Sequence, residues 1–247
     1  MKTILSLCAV ILMFSFFVTS QAVTSCTKEK IIHDTVIVNH HDTLNHHDTT
    51  IIHLHDTMQL TLEACNNLNE GYVNSYVDYA HSNHNGVNQF TIGAGTHFGT
   101  PETARSFLKF DYKDVPENAV LINAKLSLFS IPNPGSGNFT EAHSGIANSF
   151  SIRRITSTLN MAQINWSNQP TFTTQNQVIV PQSTSSFQDN TNIDVTNLVK
   201  DMLINGNNGF FMQLQSETIY NFRQYCSSYY SSDGSKHPKL VVQFKKQ

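Results

Sequence analysis

The sequence predicts an all-β fold: an antiparallel β-sandwich, jelly-roll-like, with one short crossover helix and an extended stalk ahead of it. Three observations predict it. Charged residues make up only 13% of the 247-residue chain and aromatic residues 10%, a balance poor for long exposed helices and typical of extracellular β-structure. Apolar residues alternate with polar ones along several short runs from residue 71 onward, the period of a half-buried strand. One stretch alone carries the helical period.

The first 25 residues read as an export signal. One lysine, Lys2, precedes an apolar run over residues 4–18, too short to cross a bilayer comfortably and suited to a signal-peptide core. Val23-Thr24-Ser25-Cys26 then resembles the lipobox of bacterial lipoproteins. Cleavage there leaves Cys26 lipidated at the new N-terminus, on the outer membrane or cell surface. Cleavage after Ser20-Gln21-Ala22 is the alternative and leaves a free secreted chain. The membrane is thus a partner through the lipid anchor alone.

Residues 26–65 form the expected stalk. His33-Asp34-Thr35, His41-Asp42-Thr43, His47-Asp48-Thr49 and His55-Asp56-Thr57 repeat at offsets of 8, 6 and 8 residues. Even offsets orient every copy alike on an extended chain and scatter them on a helix. The segment carries two lysines against six acids and no apolar core pattern, so it reads as an extended or disordered spacer. Metal capture by its imidazoles is the sharper alternative, although four copies without a second ligand source make no closed set.

Residues 66–247 form the head, with 12 basic and 12 acidic residues. That neutrality excludes a strongly basic binder of nucleic acid. Alternation runs through 104–112 and 120–128 on either side of a short Pro-containing loop, which predicts a hairpin with one buried face. Further strands are expected at 72–79, 150–155, 178–180, 209–215 and 240–244, with turn-rich stretches at 132–137 and 183–190. Val195, Leu198, Val199, Met202 and Leu203 give the helix; Asp194 or Thr196 offers its cap, and Asn205-Gly206 ends it. Cys65 and Cys226 are the two cysteines of the head. Export permits a disulfide between them, and two buried thiols are the other reading.

Taken in order, these pieces resemble the DNRLRE domain, also grouped as carbohydrate-binding module family 96, over about residues 70–247. The resemblance rests on Asn74-Ser75-Tyr76-Val77, Asn83-His84-Asn85-Gly86 and Arg105-Ser106-Phe107-Leu108-Lys109-Phe110-Asp111. It continues through Ile164-Asn165-Trp166-Ser167-Asn168-Gln169-Pro170, Ile193-Asp194-Val195-Thr196-Asn197-Leu198-Val199, Cys226-Ser227-Ser228 and His237-Pro238-Lys239-Leu240. Asn74 stands where the family often has Asp. The resemblance implies a non-catalytic β-sandwich of secreted bacterial proteins, with acidic polysaccharide bound by some members.

Two binding surfaces suggest themselves. In the expected hairpin, Arg105, Lys109 and Lys125 surround Phe107 on the outward face, a cationic, aromatic patch suited to uronic acids. The loop 220–230 offers Arg223 and Tyr225. No catalytic motif has a recognisable spacing, so no enzyme is expected. No cofactor is expected either, and a structural Ca²⁺ has no position legible in the sequence. The expected function is a cell-surface lipoprotein whose head binds an acidic polysaccharide; a structural or adhesive module meeting a surface protein is the alternative.

Overall fold

Apolar residues at alternate positions let strands such as 120–128 and 239–245 bury one face, and two sheets stack. The computed structural model describes residues 27–32, 57–64, 69–135 and 140–245. Among these, β1 (Thr27–Ile32), β2 (Thr57–Glu63), β13 (Lys239–Lys245), β6 (Val120–Leu128) and β10 (Asn190–Asp194) form one sheet in that spatial order. The second sheet runs β7 (His143–Ser144), β12 (Asn221–Cys226), β4 (Gln89–His97), β5 (Thr100–Leu108), β11 (Phe210–Leu214), β8 (Phe150–Ile155) and β9 (Phe172–Val180). β3 (Glu70–Asn74) pairs with β5 outside that path. All pairings are antiparallel.

The core lies between the sheets. Leu60, Leu62, Leu126, Leu240, Val242 and Phe244 from the first meet Phe90, Ile92, Leu108, Phe150, Phe210 and Met212 from the second. Each such side chain contributes about 1.5–3 kcal/mol when fully buried. The helix α1 (Thr196–Asn205) closes one flank with Leu198, Val199 and Met202, as its 3.6 period requires. Its N-cap is Val195, and the Asp194 carboxylate one residue earlier accepts the Thr196 N–H at 3.0 Å and the Thr196 hydroxyl at 2.6 Å. Gly206, at φ 94°, ends it in a conformation that glycine adopts freely.

Two expectations are corrected. The runs at 104–112 and 120–128 are not a hairpin, because β5 and β6 belong to different sheets. Phe110 is buried in the core and Tyr112, Val115 and Ala119 pack against it, so the connection crosses the sandwich instead of turning back. The stalk does not run from 26 to 65 either. β2 lies between β1 and β13 with Thr27 opposite Leu62 and Leu62 opposite Leu240, so residues 57–64 are part of the head. The leader, Cys26, the repeats from residue 33 through 56 and Cys65 lie outside the described residues.

A second apolar cluster sits on the other face of β5 and β11. Val73, Phe107, Ile155, Met161, Ile164 and Phe211 form it, with Leu159 and Trp166 packed against them. The connection between β8 and β9 supplies Met161, Ile164 and Trp166 and thereby adds a partial third layer. Asn83 and Asn85 hold that layer through the carbonyls of Ala162 (3.1 Å) and Met161 (3.2 Å).

One carboxyl is buried. Glu70 is 1% exposed, its Oε1 accepts the N–H (2.6 Å) and hydroxyl of Ser228, and its Oε2 has no partner. Burial pushes its pKa from 4.5 up to about 7, opposed by the Ser228 hydrogen bonds. A raised carboxyl stabilises the fold fully below pH 4.5 and loses that contribution as pH rises through about 7. Glu70→Gln is therefore expected to gain on the wild type by about 3 kcal/mol between pH 4 and pH 8 in urea denaturation; parallel pH profiles would contradict a buried neutral acid. Leu62→Ala is expected to cost about 2–5 kcal/mol in the same assay, whereas a loss under about 0.5 kcal/mol would place β2 outside the core.

Candidate functional site

A strand has two edges, and three neighbours compete for those of β5. β3 holds one edge from Ala104 to Leu108. The other edge pairs with β4 from Thr100 to Ala104 and with β11 from Ser106 to Leu108. β4 must therefore leave β5 after Gly93 pairs with Ala104. The Ser106 hydroxyl follows the departing strand and donates to the Thr91 carbonyl at 2.6 Å. β12 covers the far side of β4, with Phe222 opposite Gly93 and Gln224 opposite Thr91.

The result is a shallow trough across β3, β5, β4 and β12, with a cavity volume of about 60 Å³. One row across it reads Asn74, Ala104, Gly93, Phe222. Small residues (Gly93, Gly95 and Ala104) make the floor; Tyr72 and Asn74 line one side, Phe222 and Gln224 the other. The two glycines serve different purposes. A Cβ on Gly93 would sit 2.5 Å from Phe222 Cβ, so close strand packing demands glycine there. A Cβ on Gly95 would meet nothing within 4 Å. Its missing side chain keeps the trough open.

The polar equipment is uncommitted. Thr91 Oγ1 and Gln224 Oε1, cross-strand neighbours in the trough, are buried without a hydrogen-bond partner, as is His84 Nε2 behind it. Orphaned buried groups cost roughly 1–3 kcal/mol each. Glu102 lines the trough as its carboxylate and accepts Asn74 Nδ2 at 2.9 Å. Burial and then the Glu102 charge push the Tyr72 phenol up to about 12, so it stays a hydroxyl donor. Burial holds His84 below the ordinary histidine value against the pull of Glu102.

Aromatic rings back this wall. The Tyr72 and His84 rings stack at 4.4 Å, with Tyr79 edge-on to His84 at 5.8 Å. Asn74 Oδ1 accepts the Tyr76 N–H at 2.7 Å, a local turn that ends β3 at Asn74, short of the expected 72–79 run, and lifts Tyr76 and Tyr79 beside the trough.

The expected patch around Phe107 does not form. Phe107 is fully buried in the second apolar cluster, because the β8–β9 connection folds over that face. Arg105 shares that face, with its guanidinium 4.6 Å from the Trp166 ring and both Glu217 oxygens at 2.7 and 2.9 Å. Lys109 follows β5 on the same sheet, whereas Lys125 lies on the other sheet and pairs with Asp194 at 2.8 Å. That pairing, with the Thr196 hydrogen bonds, holds the Asp194 carboxyl down at about 2.

Arg223 and Tyr225 are corrected too: they belong to a strand, β12, and both are fully buried. The Tyr225 hydroxyl donates to Asn190 Oδ1 at 2.6 Å, and the Arg223 guanidinium donates to the same oxygen and to the Pro181 carbonyl at 3.1 Å. They clasp the two sheets together from within the core. Cys226 is buried and among the described residues forms no disulfide, its Sγ 3.7 Å from the Ser130 carbonyl, and burial pushes its thiol up to about 12; Cys65, its expected partner under one reading, lies outside the described residues.

Sequence reasoning missed Thr91, Gly93, Gly95, Glu102 and Gln224. A signal existed: two glycines two apart, alternating with the core-facing Ile92 and Ala94, mark a strand approached closely from one side.

A sheet-face trough with small residues below, rings alongside and polar side chains within is the candidate binding surface of this β-sandwich. The family model of Carbohydrate-binding module family 96 matches residues 65–244, and the chain belongs to that family. No curated protein matches it.

Proposed function

We propose that this protein is a lipid-anchored surface protein whose head holds a polysaccharide chain in the trough, without cleaving it. The trough's floor and its unpartnered Thr91 Oγ1 and Gln224 Oε1 carry the reading. Sugar hydroxyls are donors and acceptors at once, so a ring laid over the trough would hydrogen-bond the polar side chains along it. Among the described residues Glu102 is the one carboxylate lining the trough, and glycoside hydrolysis works between two. That supports binding over catalysis.

The acidic character of the polysaccharide has a separate support. Arg153 lies 5.1 Å over the Phe172 ring, which is 38% exposed, and its guanidinium bonds Gln177 at 2.8 Å instead of an acid. Burial and then the neighbouring Arg105 lower its pKa against the pull of Glu217, and a carboxylate-bearing chain crossing that flank would add a favourable charge.

Lipidation at Cys26 acquires a geometric consequence. β1 begins at the next residue, Thr27, so an acyl anchor would hold the sandwich against the membrane with no spacer between them. Thr27 stands level with Leu62, Leu240 and Leu126, and β6 runs on from there to Ser130, which bridges to Tyr225 near the end of β12. The start of β12, Asn221 beside Ala94, is at the opposite end. Gly95 and Glu102 lie toward that opposite end, away from the anchor.

Gly95→Leu is expected to abolish retention on a polysaccharide affinity gel while leaving the thermal midpoint within a few degrees, since its Cβ meets no neighbour. Unchanged retention by a folded Gly95→Leu chain would remove the trough as the site. Cys26→Ser is expected to move the protein from the membrane fraction to the medium; unchanged fractionation would refute lipid anchoring.

A further inference from the structure

The tip of the β4–β5 hairpin is built against its own backbone preference. His97 pairs with Thr100, leaving Phe98 and Gly99 as a two-residue turn at φ 46° and 81°. Such a turn favours Asn-Gly, because a residue with a bulky Cβ is strained at positive φ. A phenylalanine occupies it here, 91% exposed. Neither folding nor solubility accounts for that choice.

The ring is not isolated. Phe98 meets His97 edge-on at 4.5 Å, and His97 meets Tyr76 at 4.4 Å and Tyr79 at 5.4 Å. Tyr79 in turn meets His84, and His84 stacks on Tyr72 in the trough wall. The rings form one continuous run from the trough to the hairpin tip, at the end facing away from Thr27. Glu102 and Gly95, paired across β4 and β5, lie between the trough floor and that tip.

We infer that Phe98 is an outer sugar subsite: the polysaccharide leaves the trough along this run and lays a later residue of the chain on the exposed ring. The inference rests on the trough reading and adds a length requirement to it. Stacking on a ring uses a sugar's C–H face and not its charge, so the subsite contributes affinity to chains long enough to reach it and none to shorter ones. The strained turn then has a purpose, since only a side chain at the tip extends beyond the strands.

The test measures binding of the full chain to two ladders of oligosaccharides, polyuronate and neutral glucan, each from two to eight sugars, by titration calorimetry. The wild type is expected to gain about tenfold in affinity between the short and long members of the ladder it binds, the scale of one aromatic contact. Phe98→Asn is expected to lose that gain, keep the affinity for the shortest bound member, and hold or raise the thermal midpoint, because asparagine tolerates positive φ. A Phe98→Asn chain that keeps the full length dependence overturns the outer subsite and leaves the trough intact. Silence of the wild type on both ladders, with folding confirmed, overturns the trough reading and the subsite with it. Binding to anionic phospholipid vesicles that is lost in Phe98→Asn, with the length dependence kept, would assign the tip to a lipid surface and overturn the inference.

Discussion

The edge of β5 is the resource for which this fold competes, and the division of that edge shapes the molecule. A backbone offers hydrogen bonds on two sides only. β3 occupies one side, and the other passes from β4 to β11 within two residues, between Ala104 and Ser106. β4 is driven off and carries β12 with it, and the opened sheet becomes a trough. The Thr91 carbonyl, which loses its place in the ladder, is recovered by the Ser106 hydroxyl; the Thr91 hydroxyl beside it is left with no partner. The unsatisfied chemistry of the site follows from the strand exchange.

The buried arginine shows the opposite use of a polar group. Arg223 is fully buried, and among the described residues its guanidinium is held by Asn190 and the Pro181 carbonyl instead of a carboxylate. Burying a charge is costly unless it is well bonded. The rings of Phe150 and Tyr225, 5.4 and 5.7 Å from the guanidinium, offset part of that cost. Because Asn190 belongs to one sheet and Arg223 to the other, the network fixes how the sheets face each other. His143, packed against Tyr225 at 5.1 Å, is held down at about 4 by burial and by the Arg223 charge. A neutral imidazole is the form that this neighbourhood tolerates.

Ion pairing also redistributes the chain's cations. Arg105 is bound by Glu217 and Lys125 by Asp194, so two of the positive charges nearest the expected patch are compensated. What remains for a ligand is a trough with hydroxyl, amide and phenol groups, and a separate flank where Arg153 lies over Phe172. In the proposed function the first would meet sugar rings by shape and hydrogen bonding, and the second would add charge.

The sequence by itself determined the sandwich class, the helix at 196–205, the strands at 120–128 and 150–155, and membership of a carbohydrate-binding family, because periodicity and local motifs are properties of a single segment. It did not determine which segments become neighbours. Phe107 alternates correctly with its flanks and still ends up buried, because a connection fifty residues later covers that face. Arg223 and Tyr225 read as loop residues and lie in a central strand, since a strand buried on both sides shows no alternation. β2 was hidden inside a repeat-bearing stalk, although Leu60 and Leu62 are core residues. The trough belongs to tertiary structure alone: four strands from three separate stretches of chain bring Asn74, Ala104, Gly93 and Phe222 into one row, and nothing local to any one strand encodes that row.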